Sequence, residues 1–321
     1  FYFVYRHLVF ALAAALVLVA ASMLDPTSVR RLSAALFLVS LVLLAAVLLV
    51  GHEAKGAQRW LRLGGSTFQP SEIVKPVLIV LVAWLLAQRP AFPGAPWEAL
   101  AFAGYALTLL LLLLQPDVGQ SFLLSVAFLT TFFVSGISWR WAAALIGGGL
   151  SLAFLLYSTL AHVRRRVDSF ITPSSYDTYQ IDKAREAIER GGLFGAGPGA
   201  GSVKHSLPDA HTDFIFSVAG EEFGLIACAA LIVCFAVISI RGVIFSSSLD
   251  DPYARAAGVG LYSLFGVQAC INMAVNLSLI PPKGMTLPLV SSGGSAMIGS
   301  ALTLGLALAL TRRAPDARLP R

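Results

Sequence analysis

The residues most able to do chemistry are three carboxylates, Asp213, Glu221 and Glu222, in the stretch LPDAHTDFIFSVAGEEFG at 207–224. This stretch closes the longest polar loop and opens one of the most apolar segments. Its charges therefore sit at or beyond a membrane boundary, where a charge is costly and usually has a function. A carboxylate there can take a proton from an attacking hydroxyl. If a helix starts near Asp213, steps of about 100° bring Ser217, Gly220 and Gly224 close to its direction, with Glu222 on the far side. A plainer alternative stands beside this: Asp213 caps a helix N-terminus, where free N–H groups and the dipole favour a carboxylate.

A second polar stretch reads GAQRWLRLGGSTFQPSEIVK at 56–75. Pro70 can open a helix, which leaves Glu72 and Lys75 at i,i+3 on one face. An ordinary salt bridge at the head of a span would look the same. In QPDVGQ, Asp117 reads as a cap on the helix that follows. In IPPKGMTLPLVSSGG, Lys283 is a lone cation among prolines and glycines. It offers a point charge for a phosphate, or simply snorkels to water. The run from Ser291 and Ser292 exposes backbone N–H groups. The glycine turn at 191–201 has no GK[ST] ending and no preceding strand, which argues against a nucleotide site. His52, His162, His205 and His211 show no metal-ligand spacing, and His211 reads as a surface histidine. Arg59, Lys75 and Lys283 around few carboxylates suit an anionic, lipid-linked diphosphate: cations hold the leaving group and one carboxylate serves as base.

The elements that must position these groups are membrane helices. Hydrophobic residues make up 57% of the chain, charged residues only 12%, and the mean hydropathy is +0.79. A soluble domain carries about 25% charged residues, so the chain is an all-α polytopic membrane protein. Its 321 residues suffice for one membrane domain, 1–321. The net charge of +6 is scattered over loops, which favours anionic lipid over nucleic acid as a partner. The three cysteines lie in apolar segments and suggest neither disulfide nor metal site. Spanning runs fall at about 8–24, 33–50, 73–87, 99–114, 118–135, 141–160, 214–240, 256–276 and 288–311. Gly147, Gly148 and Gly149 predict a kink or a close packing contact in the sixth. Basic residues in alternate short loops put the C-terminal tail in the cytoplasm and the long loop at 161–213 outside. An odd count then puts Phe1 outside, as if a first helix preceded it. Within the long loop, 182–190 predicts an amphipathic helix with a Glu186–Arg190 pair.

The motifs GAQRWLRLGGSTFQPSEIVK, QPDVGQ, GGLFGAGPG, LPDAHTDFIFSVAGEEFG and IPPKGMTLPLVSSGG, in this order, resemble those of the SEDS family, the family of FtsW and RodA. HTDFIFSVAGEEFG and KGMTLP look more like its FtsW branch. The resemblance implies a ten-helix bundle, of which about nine helices are present here, in the bacterial cytoplasmic (inner) membrane. It implies polymerisation of lipid II into glycan outside that membrane, at the division septum. The acceptor C4 hydroxyl would displace undecaprenyl diphosphate from the donor C1 in one inverting step. Asp213 matches the family's essential loop aspartate and is the expected general base. Arg59, Gln69, Ser71, Glu72 and Lys75 are expected at the substrate, as are His211, Thr212, Lys283, Ser291 and Ser292. Within that set, Arg59, Lys75 and Lys283 would contact the diphosphate and Glu72 would orient Lys75. No cofactor is required, although a divalent cation (Mg or Mn) would help neutralise the diphosphate. The implied partners are a class B penicillin-binding protein of the FtsI kind and other divisome proteins. Two other functions remain open: a lipid II flippase or transporter, suggested by broken helices and boundary charges, and an elongation polymerase like RodA. A non-catalytic divisome scaffold is a third.

Overall fold

The computed structural model describes residues 2–54, 57–63, 66–137, 139–159, 164, 168, 179–281 and 284–312. Its long helices are α1 (Tyr2–Ser22), α2 (Pro26–Val50), α3 (Ser71–Ala87), α4 (Trp97–Leu114), α5 (Val118–Val134), α6 (Trp139–Thr159), α7 (Tyr179–Gly191), α8 (Ile215–Ser247), α9 (Pro252–Asn276) and α10 (Gly294–Thr311). Each of the nine apolar runs is a helix, and α7 is the amphipathic one. Among the described residues, six helices are long and apolar enough to cross a membrane: α2, α4, α8, α9, α10 and Tyr5–Ser22 of α1. α3 and α5 have 17 residues each, about 25 Å of helix.

One expected loop is a sheet instead. Strands β1 (His52–Ala54), β2 (Ala57–Leu63) and β3 (Ser66–Phe68) form an antiparallel sheet in the order β1-β2-β3.

The chain divides into two compact units. The first comprises Phe1–Gly136, Ser239–Phe265 and Gly294–Arg321. Asp25 starts α2, accepting from the N–H groups of Thr27 and Ser28, with Pro26 at the first position. α3 lies at the centre, packed against α2, α4, α5 and α10. α3 and α10 are apolar and buried nearly all round, as core helices should be. α1 and α2 instead show Leu8, Leu12, Leu16, Leu38 and Val42 on their outer faces, which suits contact with lipid.

The second unit comprises Ile137–Ile238 and Gly266–Gly293. In it the glycine-rich turn after α7 lies against the head of α8. The N–H groups of Ala196 and Gly197 donate to the carbonyls of Glu221 and Glu222, and those of Leu225 and Ile226 to Gly192 and Leu193. Contact is backbone on backbone: a Cβ at Gly191 would stand 1.9 Å from the Gly220 carbonyl oxygen. Gly224 (φ 79°) breaks α8 there and frees those N–H groups to pair with the turn.

Three details differ from expectation. α6 runs unbroken through Gly147, Gly148 and Gly149, and a Cβ at any of them would meet nothing within 4 Å among the described residues. In α7, Glu186 pairs with Lys183 and Glu189 with Arg185, because those cations reach them directly. The helix containing Ser217 begins at Ile215, two residues after Asp213.

Candidate active site

The expected site residues fall into two groups, one in each unit. In the first, Pro70 precedes α3 and sets Glu72 and Lys75 one turn apart. Lys75 Nζ donates to Glu72 Oε2 at 2.9 Å and to Gln120 Oε1 at 2.6 Å, while Gln120 Nε2 donates to Glu72 Oε1 at 2.8 Å. The three side chains close a ring of hydrogen bonds, and all are buried. This is the way to bury a charge pair: opposite charges in contact, remaining lone pairs and protons on a neutral amide. Pro76 lacks the N–H that would bond the Glu72 carbonyl, and Gly299 lets α10 approach there. A Cβ at Gly299 would come within 2.7 Å of that oxygen.

Asp117 sits beside the ring as the cap of α5, accepting from the Gln120 N–H at a long 3.4 Å. It does more than cap. Arg59 Nη1 lies 3.7 Å from Asp117 Oδ1, and Gln69 Nε2 donates to Oδ2 at 3.4 Å. Arg59, on β2, also donates to the Pro116 carbonyl at 2.5 Å, so the sheet holds the guanidinium against the turn between α4 and α5. Burial raises the Asp117 carboxyl above its ordinary range, with the Arg59 charge the largest opposing influence. Gln69 is anchored through its N–H to Ser295 Oγ at 3.1 Å. The Ser71 hydroxyl is buried and meets no hydrogen-bond partner among the described residues.

In the second unit, Asp213 follows a turn in which the Asp209 carbonyl accepts from the N–H groups of Thr212 and Asp213 at 3.0 and 3.1 Å. Asp209 itself is left-handed (φ 56°), a conformation aspartate tolerates. Three successive carbonyls are then held from the other segment of the unit. His211 O accepts from the Ser292 N–H at 2.9 Å and Thr212 O from the Ser291 hydroxyl at 2.6 Å. Asp213 O accepts from Asn272 Nδ2 at 2.8 Å and Asn276 Nδ2 at 3.0 Å. The backbone of Asp213 is thus fixed while its side chain stays half-buried, and His211 is exposed. A Cβ at Gly284 would lie 3.5 Å from Asp213 Oδ2, so the chain at 284 passes beside the carboxylate. Lys283 and most of 161–178 lie outside the described residues.

The N–H and the hydroxyl of Ser217, in the first turn of α8, go to Asn276 Oδ1 at 3.0 and 2.8 Å. Glu221 is fully buried, and its carboxylate accepts from the N–H groups of Ser202, Val203 and Lys204 at 2.6, 2.8 and 3.0 Å. Glu222 pairs with Lys204 and accepts from the Gly199 N–H. Both glutamates therefore bind the loop to α8. Sequence reasoning passed over Gln120, Asn272 and Asn276. Their signal was present as neutral amides inside apolar helices, two of them at i,i+4. Among the described residues no three His, Cys, Asp or Glu side chains gather as metal ligands would.

Long apolar helices around a buried polar centre, with an ordered loop carrying a carboxylate, define a multi-pass helical membrane protein. A family model described as cell cycle protein, FtsW/RodA/SpoVE, matches residues 1–315, and the chain belongs to that family. A probable peptidoglycan glycosyltransferase FtsW of Caulobacter vibrioides is 47% identical, with 99% of this chain and 81% of that protein covered. Its counterpart in Geobacter sulfurreducens is 34% identical over 98% of this chain and 86% of its own length. Among solved structures, a chain of a peptidoglycan synthase complex that coordinates polymerization and crosslinking superposes with a TM-score of 0.77 at 30% identity, covering 96% of this chain and 89% of that one. Thermus thermophilus rod shape determining protein RodA follows at a TM-score of 0.71 and 29% identity, covering 96% and 86%.

Proposed function

We propose that this chain is a peptidoglycan glycosyltransferase that polymerises lipid II outside the cytoplasmic membrane, with Asp213 as general base. The observation that carries the assignment of the base is the fixing of its backbone: three successive carbonyls, at 211, 212 and 213, are each held by a donor. A base must reach its proton within hydrogen-bond distance in a set direction, and a fixed main chain supplies that. In the reaction, Asp213 takes the proton of the acceptor C4 hydroxyl as its oxygen bonds to the donor C1. The bond from C1 to the diphosphate breaks, and undecaprenyl diphosphate leaves with the electron pair. One displacement inverts C1, from α-linked donor to β-linked glycan, and needs one base rather than a pair of carboxylates.

Arg59 and Lys283 supply charge for the diphosphate. Lys75, held on Glu72 and Gln120, adds its charge from that buried ring, and Gln69 and Ser71 are assigned to the substrate as well. His211, Thr212, Ser291 and Ser292 shape the surroundings of the base. The step as written requires no cofactor, and a divalent cation (Mg or Mn) would help neutralise the diphosphate. Relatives named FtsW favour septal synthesis during division. A separate class B penicillin-binding protein of the FtsI kind would crosslink the strands, a division of labour in keeping with the synthase complex described above.

The test is to incubate the detergent-solubilised protein and its transpeptidase partner with lipid II. Detergent removes membrane sidedness, so glycan strands made there are a polymerase product; a flippase would leave lipid II unchanged.

A further inference from the structure

α9 carries two buried asparagines one turn apart, Asn272 and Asn276, at 1% and 0% exposure. Both donate through Nδ2 to one acceptor, the main-chain carbonyl of Asp213. Each makes a second contact that ties Asp213 to its surroundings. Asn276 Oδ1 accepts from both the N–H and the hydroxyl of Ser217, at 3.0 and 2.8 Å, and so fixes the first turn of α8. Asn272 Nδ2 also donates to the Met285 carbonyl at 2.6 Å. That holds the chain next to Gly284, which passes beside the Asp213 carboxylate. The amide orientations follow from the partners: Nδ2 faces carbonyls, which can only accept, and Oδ1 of Asn276 faces an N–H, which can only donate.

We propose that Asn272 and Asn276 are positioning residues for glycan synthesis. They set the carbonyl of Asp213, and through it the direction in which the carboxylate leaves the backbone. This rests on the reading of Asp213 as the base. Neither asparagine touches the reacting atoms. Replacing the amide with a carboxylate keeps its size and, at Asn276, the acceptor for Ser217. It leaves at most one O–H where the amide Nδ2 gave two N–H donors, so each site loses a carbonyl contact and the Asp213 carbonyl is no longer fixed. Displacing a reacting group by about 1 Å costs on the order of a hundredfold in rate.

The experiment compares the full-length chain, with its partner, as wild type, Asn276→Asp and Asn272→Asp. It reads kcat and KM for lipid II, Tm, and amide hydrogen exchange over 209–218. The expected result is a kcat lower by about ten- to a hundredfold with KM within about twofold, accompanied by faster exchange confined to 209–218. A kcat within about twofold of wild type in both folded variants overturns the proposal. So does a parallel loss of Tm with faster exchange throughout the chain, which is what a merely structural role produces. If one variant fails to fold, the other decides. If the wild type makes no glycan, the reading of Asp213 as base falls, and exchange at 209–218 alone judges the positioning claim: an unchanged rate overturns it.

Discussion

Lys75 Nζ lies 2.9 Å from Glu72 Oε2, with both side chains no more than 3% exposed. A buried pair of this kind is more valuable for where it holds its neighbours than for net stability, because desolvation offsets most of the attraction. Removing one partner is another matter, since the remaining charge stays buried. Lys75→Met should therefore destabilise the protein by about 3–5 kcal/mol, and the double variant Glu72→Gln/Lys75→Met by clearly less. Thermal unfolding in detergent reads both; equal losses would mean that the pair is not coupled.

Glu221 presents its carboxylate to three successive N–H groups, at 202, 203 and 204. Glu221→Ala would strand those donors and should cost more than about 3 kcal/mol. Glu221→Gln keeps one acceptor oxygen and should fall between the alanine variant and the wild type. The ranking is checked by chemical or thermal unfolding. An alanine variant as stable as the wild type would contradict the clamp.

Glycines of similar appearance should respond differently. Gly195 has φ 84°, and a Cβ there would stand 2.2 Å from the Glu222 carbonyl oxygen. Gly195→Ala should cost more than about 2 kcal/mol, because both strain and a backbone clash resist it. A Cβ at Gly192 (φ 56°) would meet nothing within 4 Å among the described residues, so Gly192→Ala meets only the left-handed penalty of about 1–2 kcal/mol. Gly148, in α6 with no described atom within 4 Å of an added Cβ, should tolerate alanine with a gain of up to about 1 kcal/mol. Measured Tm values in that order support the packing described.

How much of this was legible beforehand follows from what sequence records. Apolar runs give nine of the ten long helices because the length of an apolar stretch is directly readable, and i,i+4 spacing gives the amphipathic α7. The i,i+3 spacing of Glu72 and Lys75 was readable for the same local reason. The partners were not: Gln120 is 48 residues from Glu72, and Asn276 is 63 from Asp213. Neutral amides in apolar helices leave no charge pattern to follow, and only the fold brings them to their acceptors. The sheet at 52–68 escaped because its strands are short and β2 carries Arg59 and Arg62 among its apolar residues. The small-residue face at Gly220 and Gly224 was visible, but as a stripe without a partner. The structure gives it one in the loop at 191–201.

Asp117 links stability to pH. Burial raises its folded-state pKa above the ordinary 3.8, against the opposing pull of Arg59. Between the ordinary and the raised value the folded chain keeps a proton that the unfolded chain has released. The contribution to stability is full below the ordinary value and is lost as pH rises through the folded-state value. Asp117→Asn removes this dependence. The Tm of the wild type relative to the Asn variant should therefore improve as pH falls from about 8 to about 4. A difference that stays constant with pH would show that the carboxyl is not raised.

The central claim is that Asp213, held by its backbone from three sides, takes the acceptor proton. Asp213→Asn keeps size and the main-chain contacts and removes the charge and the basicity of the carboxylate. The direct measurement is its initial rate of lipid II polymerisation in detergent with the transpeptidase partner present, beside its Tm and lipid II affinity. The expected result is wild-type folding and binding with a rate lower by about 10²–10⁴-fold. A folded, lipid II-binding Asp213→Asn protein that polymerises at a rate near that of the wild type would contradict it.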